Sequence, residues 1–105
     1  MRTEIRAKDF ELTDALRDQV ERRVRLALTR FADRLDGVTV RIEQRVVRVE
    51  GAARYTCEIA MAPAGVQICE EHDRIDTAID RAIDRSARAA ARLSRRHVPT
   101  PGRGS

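Results

Sequence analysis

The sequence predicts one α+β domain of order β-α-β-β-β-α: a four-stranded sheet with two long helices packed on one face. Three observations carry this. Four short segments alternate apolar and polar residues, two long segments repeat apolar residues at helical spacing, and Gly, Pro or capping residues separate them. At 105 residues the chain fits a single domain. It is 42% hydrophobic and 36% charged, so it can bury a core beneath a strongly ionic surface.

The elements follow in order. From Arg2 to Lys8, Thr3, Ile5 and Ala7 alternate with charged residues, a half-buried strand. Thr13 offers an N-cap, and Asp14 sits where the helix dipole favours an anion. Leu16, Val20, Val24, Ala27, Phe31 and Leu35 then recur at helical spacing, predicting a helix from Asp14 to about Leu35 that ends on Gly37 in the left-handed region. Val38, Val40 and Ile42 mark the second strand. Val46–Ala52 is ambiguous: Val46, Val47 and Val49 extend a strand, whereas Glu50-Gly51 reads as a turn.

Tyr55 to Met61 alternates again, and Ala62-Pro63-Ala64-Gly65 turns the chain into Val66–Cys69. Matching the apolar faces of this hairpin sets Ile59 opposite Ile68 and Met61 opposite Val66. Cys57 then faces the core and Cys69 the opposite side, so the two thiols are not expected to bridge. Asp73 is the expected N-cap of a final helix running to about Arg96. Residues 1–97 are read as the domain, and 98–105, with two Pro and two Gly, as a disordered tail.

The charges are more informative than their sum of +4. On a helical wheel the final helix divides into three parts. Ile75, Ile79, Ala82, Ser86, Ala90 and Leu93 form a core stripe. Asp73, Asp76, Asp80 and Asp84 line one flank, and Arg74, Arg81, Arg85, Arg88, Arg92 and Arg95 line the other. A solvated helix ordinarily mixes its signs into i,i+4 pairs. Here Asp84–Arg88 is the only acid-to-Arg pair at that spacing. At 1.5 Å per residue the Arg ridge is about 30 Å long, suited to a polyanion backbone. Complementing the helix dipole explains Arg92 and Arg95 but not Arg74 or Arg81. The first helix has a less ordered set: Arg17, Arg22, Arg23, Arg25, Arg30 and Arg34. Arg23 and Arg30 are seven apart and share a flank, and these extend the ridge into a patch if the helices lie side by side. Leu26 projects near the same flank, an exposed contact residue.

Other function classes find less support. Cys69-x-x-His72 has no second pair at metal-ligand spacing, so no metal is expected. No Gly-rich phosphate loop, nucleophile elbow or HExxH occurs, and no catalysis, cofactor or small-molecule substrate is expected. There is no apolar run near the roughly 18 residues of a membrane helix and no signal-peptide core, so a soluble cytoplasmic protein without a membrane role is expected.

Two motifs carry a resemblance. Phe10-Glu11-Leu12-Thr13-Asp14-Ala15-Leu16-Arg17, continuing to Val20-Glu21-Arg22-Arg23, is one. Glu71-His72-Asp73, Ala78-Ile79-Asp80 and Ile83-Asp84-Arg85, followed by Arg88 and Arg92, is the other. In this order and separation they resemble the ribosome hibernation-promoting factors and ribosome-associated translation inhibitors, historically labelled sigma-factor modulation proteins. The similarity spans residues 2–96 and is that of a short form, without the domain through which long forms pair ribosomes. It implies a fold similar to the double-stranded RNA-binding domain. It also implies docking in the mRNA and tRNA channel of the small ribosomal subunit, blocking initiation in idle ribosomes, with no oligomer required. The family's basic positions carry over to Arg22, Arg23, Arg85, Arg88 and Arg92. The chain departs from the family at Leu26 and Thr29, where charged residues are usual, and at Arg74-Ile75-Asp76, where Asp-Met-Tyr is usual. The alternative is a protein-interaction or regulatory module that keeps the fold without ribosome binding. A general double-stranded RNA binder is disfavoured, since such domains lean on Lys-rich helix starts and loop contacts absent here.

Overall fold

The computed structural model describes residues 1–47 and 52–97. Strand β1 (Arg2–Lys8) leads into helix α1 (Asp14–Leu28) and a 3-10 segment (Thr29–Arg34). Strands β2 (Gly37–Val47), β3 (Ala52–Ala62) and β4 (Val66–His72) follow, and helix α2 (Ile75–His97) ends the described chain. The strands lie in sequence order in one mixed sheet. β1 is parallel to β2, a pairing that needs a crossover, and α1 supplies it. The β2–β3 and β3–β4 pairs are antiparallel. The β-α-β-β-β-α order is the one the periodicities predict.

Register explains how the core closes. Ile5, Val40, Ile59 and Ile68 are successive partners across all four strands, so one apolar row crosses the whole sheet. Above it pack Val20, Val24 and Leu28 of α1, Phe31, and Ile79, Ala82 and Ile83 of α2, all buried. Each fully buried Val, Leu or Ile contributes about 1.5–3 kcal/mol relative to exposure. α1 lies over the β1 side of the sheet and α2 over β3 and β4. Ile59 opposes Ile68 and Met61 opposes Val66, as the hairpin register predicts. Cys57 is buried and Cys69 exposed, and both are free thiols.

Three expectations are corrected. The first helix is not continuous to Leu35: its α-helical part ends at Leu28 and the chain tightens to 3-10 geometry. At three residues per turn Phe31 falls beneath Leu28, so both stay buried while the chain swings toward β2. Thr29 also turns its hydroxyl back onto the Arg25 carbonyl. Gly37 is therefore no helix terminator. It opens β2, pairing with Arg2 and Ala62, and the positive-φ glycine among the described residues is Gly65 (φ 74°) in the β3–β4 turn.

Asp73 does not cap α2. Arg74 occupies the position before the helix and its carbonyl accepts the Ala78 N–H, whereas the Asp73 carboxylate lies 2.9 Å from His72 Nδ1. His72 Nδ1 in turn accepts the Arg74 N–H at 3.0 Å, holding the turn into the helix. Finally, the buried arc of α2 is wider than the expected stripe. Ala78, Ile83 and Ala89 join it, because α1 and the sheet enclose the helix from two sides. Val49, Glu50, Gly51 and the tail at 98–105 lie outside the described residues.

Candidate nucleic-acid interface

The two charged flanks of α2 meet different neighbours. A shallow groove between the helices is lined by Arg23, Leu26 and Ala27 of α1 and by Asp80, Ile83, Asp84 and Ala87 of α2. On the far side of α2 a second depression is lined by Arg81, Asp84, Arg85 and Arg88 together with Glu70 of the edge strand β4. Asp80 thus turns toward α1, Asp84 lines both depressions from the crest between them, and the basic flank turns toward the free edge of the sheet. Arg23 pairs with Asp80 across the helix contact.

The expectation that both helices pool their Arg residues into one patch is corrected accordingly. Asp80 and Asp84 lie between the two basic sets. Packing opposite charges against each other across a helix contact is favourable, and packing Arg against Arg is not. Arg30 belongs to the 3-10 segment, where it covers the Phe31 ring 5.0 Å from its centroid, so its seven-residue spacing from Arg23 no longer implies a shared flank. Arg22 is exposed on the outer face of α1, beside Asp18, Arg25 and Leu26. Leu26 is 80% exposed, as its position off the core stripe predicts.

Of the ridge, Arg81, Arg85, Arg88 and Arg92 are exposed on α2, and the Arg95 side chain lies outside the described residues. Arg85 and Arg88 are held by Glu70 and Asp84. Arg81, Arg92, Arg22 and Arg30 form no ion pair among the described residues. Exposed pairs of this kind contribute about 0–1 kcal/mol, so a phosphate group can displace or share them.

The opposite face of the sheet has another character. Arg6–Glu4 (2.7 Å), Lys8–Glu43 (3.9 Å), Arg41–Glu58 (3.9 Å) and Arg54–Glu71 (2.9 Å) pair its charges side by side. That lattice largely neutralises itself, so the Arg flank of α2 is the better polyanion surface. Cys69 and His72 point to opposite faces of β4 and do not converge.

Residues 3–98 match the model of the family described as sigma 54 modulation protein / S30EA ribosomal protein. The chain belongs to that family. Membership places it among ribosome-associated modulation proteins, in agreement with the resemblance carried by its two motifs. The Thermus thermophilus Protein Y N-terminal domain is similar to it in structure, with TM-score 0.60 and 30% identity over 89% of this chain and 99% of that one. A ribosomal subunit interface protein from Coxiella burnetii has TM-score 0.65 over 90% of this chain and 98% of its own. At 10% identity it supports the S30EA fold alone. No curated protein matches the sequence.

One residue of the S30EA chain's basic face escaped the sequence reading. Glu70 follows Val66 and Ile68 in phase, so an acid occupies the core-facing side of β4, where Cys57 is its partner on β3. An acid in an apolar phase next to a basic helix was the available signal.

Proposed function

We propose that this chain is a ribosome-associated factor that binds ribosomal RNA of the small subunit and silences idle ribosomes by occupying the mRNA and tRNA channel. It acts in the cytoplasm by occupancy, with no reaction and no cofactor. The observation that carries the reading is the exposed Arg flank of α2, which lies on the β4 side of the helix while Asp80 pairs with Arg23 of α1. Arg81, Arg85, Arg88 and Arg92, with Arg95 continuing the sequence pattern, supply the phosphate contacts, and Arg22, Arg23 and Arg30 form a second, separate set. No helix among the described residues is long and apolar enough to cross a membrane.

Purified bacterial small subunits titrated with the protein at two salt concentrations test this. Neutralising several phosphates makes log K fall with log salt by about 0.7–0.9 per phosphate. Changing Arg81, Arg88 and Arg92 to Glu is expected to abolish association and translation inhibition while leaving thermal unfolding nearly unchanged. Exposed substitutions of this kind shift stability within about ±0.5 kcal/mol. Salt-independent binding would rule out the electrostatic mechanism. A second reading, a protein-docking module, is favoured by the 80% exposed Leu26 beside the Ala27, Ile83 and Ala87 groove. Failure of the folded parent protein to associate with small subunits would support it, whereas undiminished association in the triple variant would show that the Arg flank does not carry ribosome binding.

A further inference from the structure

We propose that Glu70 is a positioning residue: it holds Arg85 so that one edge of its guanidinium is presented, ready-made, to a phosphate. The inference rests on the RNA-binding reading above and assigns a device within it.

Glu70 stands on the helix-facing side of the edge strand, beneath α2. Its side chain is 18% exposed, less than that of any other residue in the ion pairs described. Arg85 Nη1 donates to both Glu70 Oε2 and the Cys69 carbonyl oxygen, the latter at 3.3 Å. A guanidinium has five N–H donors in a rigid planar fork. Fixing Nη1 at two points restrains the whole plane. The Nε–H and Nη2 donors, which form the other edge of the fork, make no hydrogen bond among the described residues. That edge is the one suited to bidentate contact with a phosphate.

Arg88 differs. Its Nη2 is taken by Asp84 four residues earlier, on an exposed pair with both side chains more than 60% accessible. Asp84 blocks the phosphate-binding edge of Arg88, whereas Glu70 grips the far end of Arg85 and leaves that edge open. Ordering a long side chain before the ligand arrives lowers the entropy cost of binding.

The proposal opposes simple electrostatics in sign, which makes it testable. Removing an acid from a polyanion-binding face ordinarily tightens binding. Glu70→Ala is instead expected to weaken binding of small subunits about two- to tenfold, the range of one hydrogen bond. Glu70→Gln keeps an acceptor for Nη1 without the charge and is expected to bind as well as the parent or more tightly. In an Arg85→Ala background, Glu70→Ala is expected to have no further weakening effect. Thermal unfolding of each variant separates misfolding from loss of position.

Nitrogen-15 NMR of the free protein needs no ribosome. The Arg85 Nη1 protons, which Glu70 holds, should exchange slowly with solvent in the parent and in Glu70→Gln, and rapidly in Glu70→Ala. Binding by the parent together with tightening by Glu70→Ala equal to that of Glu70→Gln would overturn the proposal, as would an Arg85 signal indifferent to Glu70. Failure of the parent to bind subunits, with the NMR pattern intact, would overturn the RNA reading and leave the hold of Glu70 on Arg85 standing.

Discussion

The two cysteines show how far one strand phase separates identical side chains. Cys57 lies in the core row between Ile42 and Glu70, and burial, aided by Cys69 and Glu58, raises its thiol from 9.0 to about 12. Cys69 is exposed, and burial followed by Glu58, Glu71 and Glu70 raises it more modestly. A thiol reagent at mildly alkaline pH is therefore expected to label Cys69 in native protein and Cys57 only after unfolding. Detection of a disulfide between them in freshly purified protein would contradict the strand register. The raised value of Cys57 also sets a direction for stability. Because the folded value lies above the unfolded one, the contribution is complete below about pH 9 and is lost as pH rises toward 12. Alkaline denaturation profiles of the parent and Cys57→Ala should accordingly converge over that window.

At the level of elements, α2 buys close approach to the sheet with small residues. Ala78, Ala82, Ala89 and Ala90 are buried, and Ser86 is wholly inaccessible with no partner for its hydroxyl among the described residues. A buried hydroxyl without a partner carries its desolvation cost uncompensated. Ser86→Ala is expected to raise stability by about 1 kcal/mol, seen as a higher denaturation midpoint with an unchanged slope. Destabilisation would mean that the hydroxyl has a partner, such as a buried water. The start of α1 was legible in sequence, since the Thr13 hydroxyl accepts the Leu16 N–H at 3.2 Å as an N-cap should. Its end was not. The spacing of Phe31 and Leu35 fits an α-helix, and only the need to bring the chain into β2 selects the tighter turn.

Across the whole molecule, charge is sorted by surface. The open sheet face pairs its charges locally, α2 turns Asp80 toward α1, and Arg81, Arg85 and Arg88 remain at the β4 edge. Asp80 and Asp84 consequently act as a divide between two basic strips. Changing both to Asn is expected to tighten binding to small subunits severalfold at low salt and to steepen its salt dependence. A charge-matched pair of Asn substitutions on the open sheet face serves as the control. Equal tightening by both pairs would show that net charge, not this divide, governs binding.

Element order, hairpin register, the faces of both cysteines and the charged flanks of α2 were determined by the sequence alone. Each follows from a local period of two or 3.6 residues, which fixes where neighbouring side chains point relative to one another. The family was equally legible, in two motifs of specific residues at a specific separation. Tertiary structure alone decided which flank of α2 meets α1, and therefore that Arg23 spends its charge on Asp80 instead of extending the ridge. It also decided that His72, not Asp73, receives the backbone N–H at the entrance to α2, and that Glu70 of a distant strand grips Arg85. A periodic pattern gives directions within an element. Contacts between elements depend on how the elements are rotated and placed against each other, and that placement is settled by packing the whole core at once.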